Sequence, residues 1–133
     1  MPELFSSEWA HKYQTIWNST DGLAEDLAHA GFNSVVGFGM DDEELPRVVL
    51  VISNGQIISA GPPRKGDELR WDLRASADEW NKLLVKPPNL MKLGLMYTSR
   101  KLKFKKGDYA AMIKDPSLSG SFVKCFALMG QVA

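Results

Sequence analysis

Residues 99–113 read Ser-Arg-Lys-Leu-Lys-Phe-Lys-Lys-Gly-Asp-Tyr-Ala-Ala-Met-Ile. In an extended chain Leu102 and Phe104 point to one side and Lys101, Lys103 and Lys105 to the other, which is the two-residue period of a half-buried strand. Gly107 permits a turn. Asp108 can then accept from the free N–H groups of a helix that begins just after it. One short stretch therefore predicts strand, Gly-Asp turn and helix.

Upstream, Glu68 to Ala75 alternates in the same way. The period predicts Leu69, Trp71, Leu73 and Ala75 facing inward, with Glu68, Arg70, Asp72 and Arg74 in water. Ser76-Ala-Asp-Glu79 is a capping box. Trp80, Leu83 and Leu84 are the apolar stripe of the helix it opens, and Lys86-Pro87-Pro88 ends that helix. Asn89 caps a second helix, Leu90 to Tyr97, which is apolar nearly all round. Such a segment is either buried on every side or lines an apolar cavity, and Met91 and Met96 would adapt to irregular guests.

Further towards the start, Val48–Ser53 and Gln56–Ala60 flank Asn54-Gly55, a pair that tolerates the positive φ angles of a tight hairpin turn. Val48 to Ile52 is apolar on both faces, so that strand should be covered on both sides. Phe32 to Met40 predicts another strand. Gly37 and Gly39 share one of its faces and signal a bulge or a close backbone approach. Its Gly-Phe-Gly is no dinucleotide fingerprint, because the third glycine is missing and the acidic run Asp41–Glu44 follows. That run is most simply a solvated loop. Before it, Ser6 or Ser7 caps a helix with the stripe Phe5, Trp9, Tyr13, Ile16 and Trp17, which suits a core or a homodimer contact. A helical pattern through Leu23 and Leu27 stops at Gly31. After Asp115-Pro116, the residues Leu118, Phe122, Cys125, Phe126 and Met129 form a last stripe.

The 133 residues, 44% apolar and 24% charged, fit one soluble domain spanning 1–133. No stretch has the length of a membrane span and the start carries no secretory pattern; with Cys125 as the single cysteine, a cytoplasmic location is expected. The net charge of zero hides an asymmetry: residues 1–60 hold two basic and nine acidic side chains, residues 61–133 fourteen and seven. Two faces that attract each other within the domain explain this, and so does a basic surface for an anionic partner.

Little in the chain suggests catalysis. His11 and His29 have no metal-binding spacing. Cys125 lies on an apolar stripe with no histidine near in sequence, which reads as a buried inert thiol. The acidic pairs fit capping and solvation. The expectation is a non-enzymatic protein with no catalytic residue, metal or cofactor.

The stretch from Trp71 to Ile113, with its Lys-Leu-Lys strand, Gly-Asp turn and apolar helix, resembles the sterol carrier protein 2 (SCP-2) family. The likeness extends over roughly Val48 to Met129, with Ser99-Arg100 where the family usually has a glycine. It implies an α+β fold, a five-stranded, mainly antiparallel sheet with helices on one face. It also implies an apolar tunnel between them for a sterol, fatty acid, fatty acyl-CoA or phospholipid. Carried onto this chain, the resemblance puts Trp80, Leu84, Leu90, Met91, Leu93, Leu95, Met96, Phe104, Met112, Phe122, Phe126 and Met129 in the tunnel wall. The expected function is binding and transfer of a lipid. The rival is an accessory subunit for an enzyme of hydrophobic-metabolite metabolism. The β-strand lysines 101, 103 and 105 would either touch an anionic membrane surface or guard a sheet edge. No aromatic interleaves with them, which argues against nucleic acid.

Overall fold

In this computed structural model residues 3–132 are described, with the side chains of residues 116 and 117 left aside. Two helices come first, α1 (Ser7–Ser19) and α2 (Leu23–His29), followed by three strands, β1 (Ser34–Met40), β2 (Val48–Ser53) and β3 (Gln56–Gly61). Then come β4 (Trp71–Ala75), α3 (Ala77–Val85), α4 (Leu90–Thr98), β5 (Leu102–Lys106), α5 (Tyr109–Lys114) and α6 (Pro116–Met129). The strands form a single sheet in the order β3-β2-β1-β4-β5. All pairs are antiparallel except β1 with β4.

The local signals act as expected. The Asp108 carboxylate accepts from the Ala111 N–H at 3.1 Å and Gly107 has φ 106°. Ser76 and Asn89 cap α3 and α4 in the same manner. Asn54 and Gly55 turn the β2–β3 hairpin with φ 50° and 80°. Gly22, at φ 84°, separates α1 from α2.

Val36, Phe38 and Met40 of β1, Val48, Leu50 and Ile52 of β2, and Leu73 and Ala75 of β4 join one core with the helices. α1 lies along β3, and its side chains occupy the backbone of that edge strand. Asn18 accepts from the Ile57 N–H and donates to the Ile57 carbonyl, each at 2.9 Å, and Trp17 Nε1 donates to the Gly55 carbonyl at 2.8 Å. At Ile57 the outward backbone groups of the edge are therefore already taken. Trp80 donates from Nε1 to the Gly39 carbonyl at 2.8 Å, which fixes α3 to β1.

The other face of the sheet departs from the alternation rule. Asp72 and Arg74 do not face water: they are 5% and 1% exposed. They stand beside Gly37 and Gly39 in the β1–β4 register, where the absent side chains leave room for residues 41–47 to fold over the sheet. A Cβ on Gly39 would come within 2.8 Å of Pro46 Cα. The acidic run is a loop with the Asp41, Asp42 and Glu44 side chains exposed, and its backbone covers the sheet. Arg74 donates to the carbonyls of Met40, Glu43 and Glu44 at 3.1, 2.6 and 3.2 Å. Leu69 also lies on this outer side, against the Gly37 position, because β4 begins only at Trp71. Lys103 approaches Asp41 at 3.6 Å and Lys105 donates to the Glu44 carbonyl at 3.2 Å. The acidic and basic halves of the chain thus meet within the fold, and two of the β5 lysines are engaged there.

Candidate functional site

Between the inner face of the sheet and the C-terminal helices lies an apolar cavity of about 50 Å³. The sheet contributes Val36, Phe38, Leu50, Ile52, Trp71 and Leu73; Trp17, Leu27 and Phe32 close one end. Met112 of α5 and Leu118, Phe122, Cys125 and Phe126 of α6 form the opposite wall. The lining side chains offer no charged group. A void of this chemistry holds no favourable place for ordered water, which needs two to four polar partners.

Helix positions explain the α6 wall. Leu118, Phe122, Cys125 and Phe126 recur at three- and four-residue spacing, so they share a face. Phe122 and Phe126 meet edge to face with ring centroids 5.0 Å apart. Phe104, on the inner side of β5, touches the cavity's rim: its ring lies 6.1 Å from Trp71 and 6.0 Å from Phe122. On its far side it meets Tyr97 at 5.6 Å and Tyr109 at 5.4 Å, and those two stack at 4.3 Å. A continuous aromatic path therefore joins the end of α4 to the cavity wall. Partial burial and the neighbouring Tyr97 hold the Tyr109 hydroxyl above its ordinary pKa.

Of the residues placed in a tunnel wall by resemblance, Met112, Phe122 and Phe126 line this cavity. Trp80, Leu93, Met96 and Met129 are buried in the surrounding core, with Leu84 packed against it. Leu90, Met91 and Leu95 stand exposed on the outer side of α4. The α4 helix packs with Leu93 and Met96, so it neither sits buried on all sides nor reaches the cavity. The resemblance does not place the sheet residues from Val36 to Leu73, nor Trp17, Leu27, Phe32, Leu118 and Cys125, in the wall. Their apolar alternation marked them as core, and a core side chain and a cavity side chain have the same sequence pattern.

Cys125 is buried, and its backbone carbonyl accepts from the Tyr13 hydroxyl at 2.8 Å. Burial pushes its thiol well above the ordinary range, and pushes Tyr13 up as well. Such a thiol stays protonated and is a poor nucleophile. Among the described residues no group of three or more His, Cys, Asp or Glu side chains could hold a metal ion. No helix among them is long and apolar enough to cross a membrane.

Compared with solved structures, the chain matches a crystal structure of sterol carrier protein 2 with a TM-score of 0.75 at 19% identity, covering 98% of this chain and 100% of that one. The fold is the SCP-2 fold. A conserved hypothetical protein from Thermus thermophilus, described as possibly a sterol carrier protein, matches with a TM-score of 0.67 at 20% identity over 98% of this chain and 90% of its own. UbiJ-SCP2, a ubiquinone synthesis protein, gives 0.62 at 18% identity over 97% and 95%. No protein-family model and no curated protein matches the sequence. The likeness therefore lives in the SCP-2 architecture: the five-stranded mixed sheet, its helical cover and the order of elements.

Proposed function

We propose that this protein binds a hydrophobic small molecule of the sterol, fatty acid, fatty acyl-CoA or phospholipid class between the sheet and helices α5 and α6, and releases it unchanged. The observation that carries this reading is the apolar void at that place, walled on one side by two helices at the end of the chain. The SCP-2 likeness of the fold supports it.

The cavity as it stands is smaller than the ligand. About 50 Å³ compares with the roughly 300–1,000 Å³ of small-molecule pockets. Binding must therefore displace a wall. The sheet is held by hydrogen bonds on several strands, whereas α5 is a six-residue helix and α6 carries Gly120 in its first half. Gly within a helix weakens it by about 1 kcal/mol relative to Ala. The α5–α6 wall is the part that yields. Apolar burial at ~25 cal/mol per Å² drives the ligand in and offsets the packing lost as the wall moves. Protonated Cys125 in that wall acts as a small apolar group.

A second reading is an accessory subunit for an enzyme of hydrophobic-metabolite metabolism. It is favoured by one neighbour in fold, the ubiquinone synthesis protein, and by the exposed apolar side of α4. Native mass spectrometry of protein purified from cells separates the two. A co-purified lipid that leaves on collisional activation supports the carrier. A bare chain that also takes up no added fatty acid or sterol supports the subunit.

A further inference from the structure

We propose that α4 is the docking element of this protein, and that its target is the surface of an anionic lipid bilayer. Leu90, Met91 and Leu95 stand on the outer side of the helix, the last two one turn apart and 77% and 64% exposed. Long apolar side chains left in water in a contiguous stripe mark an interaction surface. The charge around them selects the partner. From Glu79 to Asp108 the chain has no acidic residue between these two and carries eight basic ones. Lys82, Lys103 and Lys105 are engaged with Glu79, Asp41 and the Glu44 carbonyl. Lys92 on α4, and Lys86, Arg100 and Lys101, which flank it in sequence, have no carboxylate partner among the described residues. Arg100, at φ 62°, is the left-handed residue that ends α4.

An apolar stripe with unpaired cations around it fits headgroup phosphates and the acyl boundary below them. It does not fit a second copy of this chain, because a two-fold contact through this stripe would bring the cations of one α4 against those of the other. The placement also serves transfer. Tyr97, on α4, leads through Phe104 to Trp71 and Phe122 of the cavity wall, so docking α4 would set that wall against the bilayer. The proposal thus deepens the carrier reading by naming the surface at which cargo is exchanged, and its test needs no cargo.

The test is co-sedimentation of the full chain with phosphatidylcholine vesicles, with and without phosphatidylserine. The protein should pellet with the phosphatidylserine vesicles only, and less as salt is raised. Met91→Glu with Leu95→Glu should abolish pelleting while circular dichroism stays unchanged, both side chains being exposed. Lys86→Glu with Lys92→Glu should weaken it by about fivefold or more for each lysine. Absence of pelleting with anionic vesicles, or pelleting that both double variants retain, overturns the proposal. So does a monomer in the Met91, Leu95 variant where the parent chain sediments as a dimer, since the stripe would then pair copies. None of these results bears on whether the cavity takes a ligand, so failure here and failure of the carrier reading are read separately.

Discussion

Asp72 and Arg74 stand two residues apart on β4 and share a double hydrogen bond on the covered outer face of the sheet, Nε to Oδ1 at 2.6 Å and Nη2 to Oδ2 at 3.0 Å. The pair holds two layers together. The same guanidinium binds three carbonyls of residues 40–44, so one side chain ties the acidic cover to the sheet. Removing one partner of a buried pair leaves the other charged and unpaired, which costs about 3–5 kcal/mol. Arg74→Met should lower the stability of the fold by that amount in urea denaturation. A loss below about 1 kcal/mol would show that residues 41–47 are held by Pro46 packing alone.

Gly107 is constrained from two sides. Its φ is 106°, and a Cβ there would run into the Trp71 ring. Gly107→Ala should cost about 2–4 kcal/mol, from backbone strain and a displaced tryptophan. Because Trp71 lines the cavity, tryptophan emission should shift in the folded variant as well. Unaltered emission with unaltered stability would contradict the packing described.

Cys125 gives a pH dependence with a definite sign. Burial raises its folded pKa above the unfolded value near 8.5. Above that pH the unfolded chain loses the thiol proton while the folded chain keeps it, so the folded state binds more protons and stability falls as pH rises. The contribution is fully present below about pH 8.5 and declines above it, at up to about 1.4 kcal/mol per pH unit. The slope of Tm between pH 8 and 10 should be shallower in Cys125→Ala, although that variant starts from a lower Tm through its lost packing. Parallel slopes would mean the thiol is not the group responsible.

Arg100 separates stability from docking. With φ 62° it holds a conformation that glycine adopts freely. Arg100→Gly should leave the fold equally stable or up to about 1 kcal/mol more stable. The same variant should bind phosphatidylserine vesicles less well. A clear destabilisation would mean the side chain has a structural partner.

The sequence-level signals that held are local ones. Asp108, Ser76 and Asn89 are caps that act within three residues, and Asn54-Gly55 makes its turn from its own backbone preferences. Alternation failed at Asp72 and Arg74 because it reports side, not cover, and the cover came from a loop 30 residues earlier in contact through Arg74. The signal was present but divided: two glycines on the matching side of β1, then a proline that packs on them. The apolar girth of α4 was legible, but not which side would be left in water. That depended on where Leu93 and Met96 found the core. The cavity wall shares its pattern with ordinary core, so Met112, Phe122 and Phe126 came from the SCP-2 resemblance and not from periodicity.

On the proposed function, the void between the sheet and α5–α6 opens to hold a hydrophobic ligand. Fluorescence titration with cis-parinaric acid tests it most directly, because Trp17 and Trp71 line the void and would transfer energy to a bound polyene. Saturable transfer is expected in the parent chain. It should be lost in Leu118→Trp, where a larger side chain on the α6 wall fills the space, with circular dichroism unchanged. Saturable transfer that survives in Leu118→Trp, or none in the parent chain, would rule out ligand binding in this void.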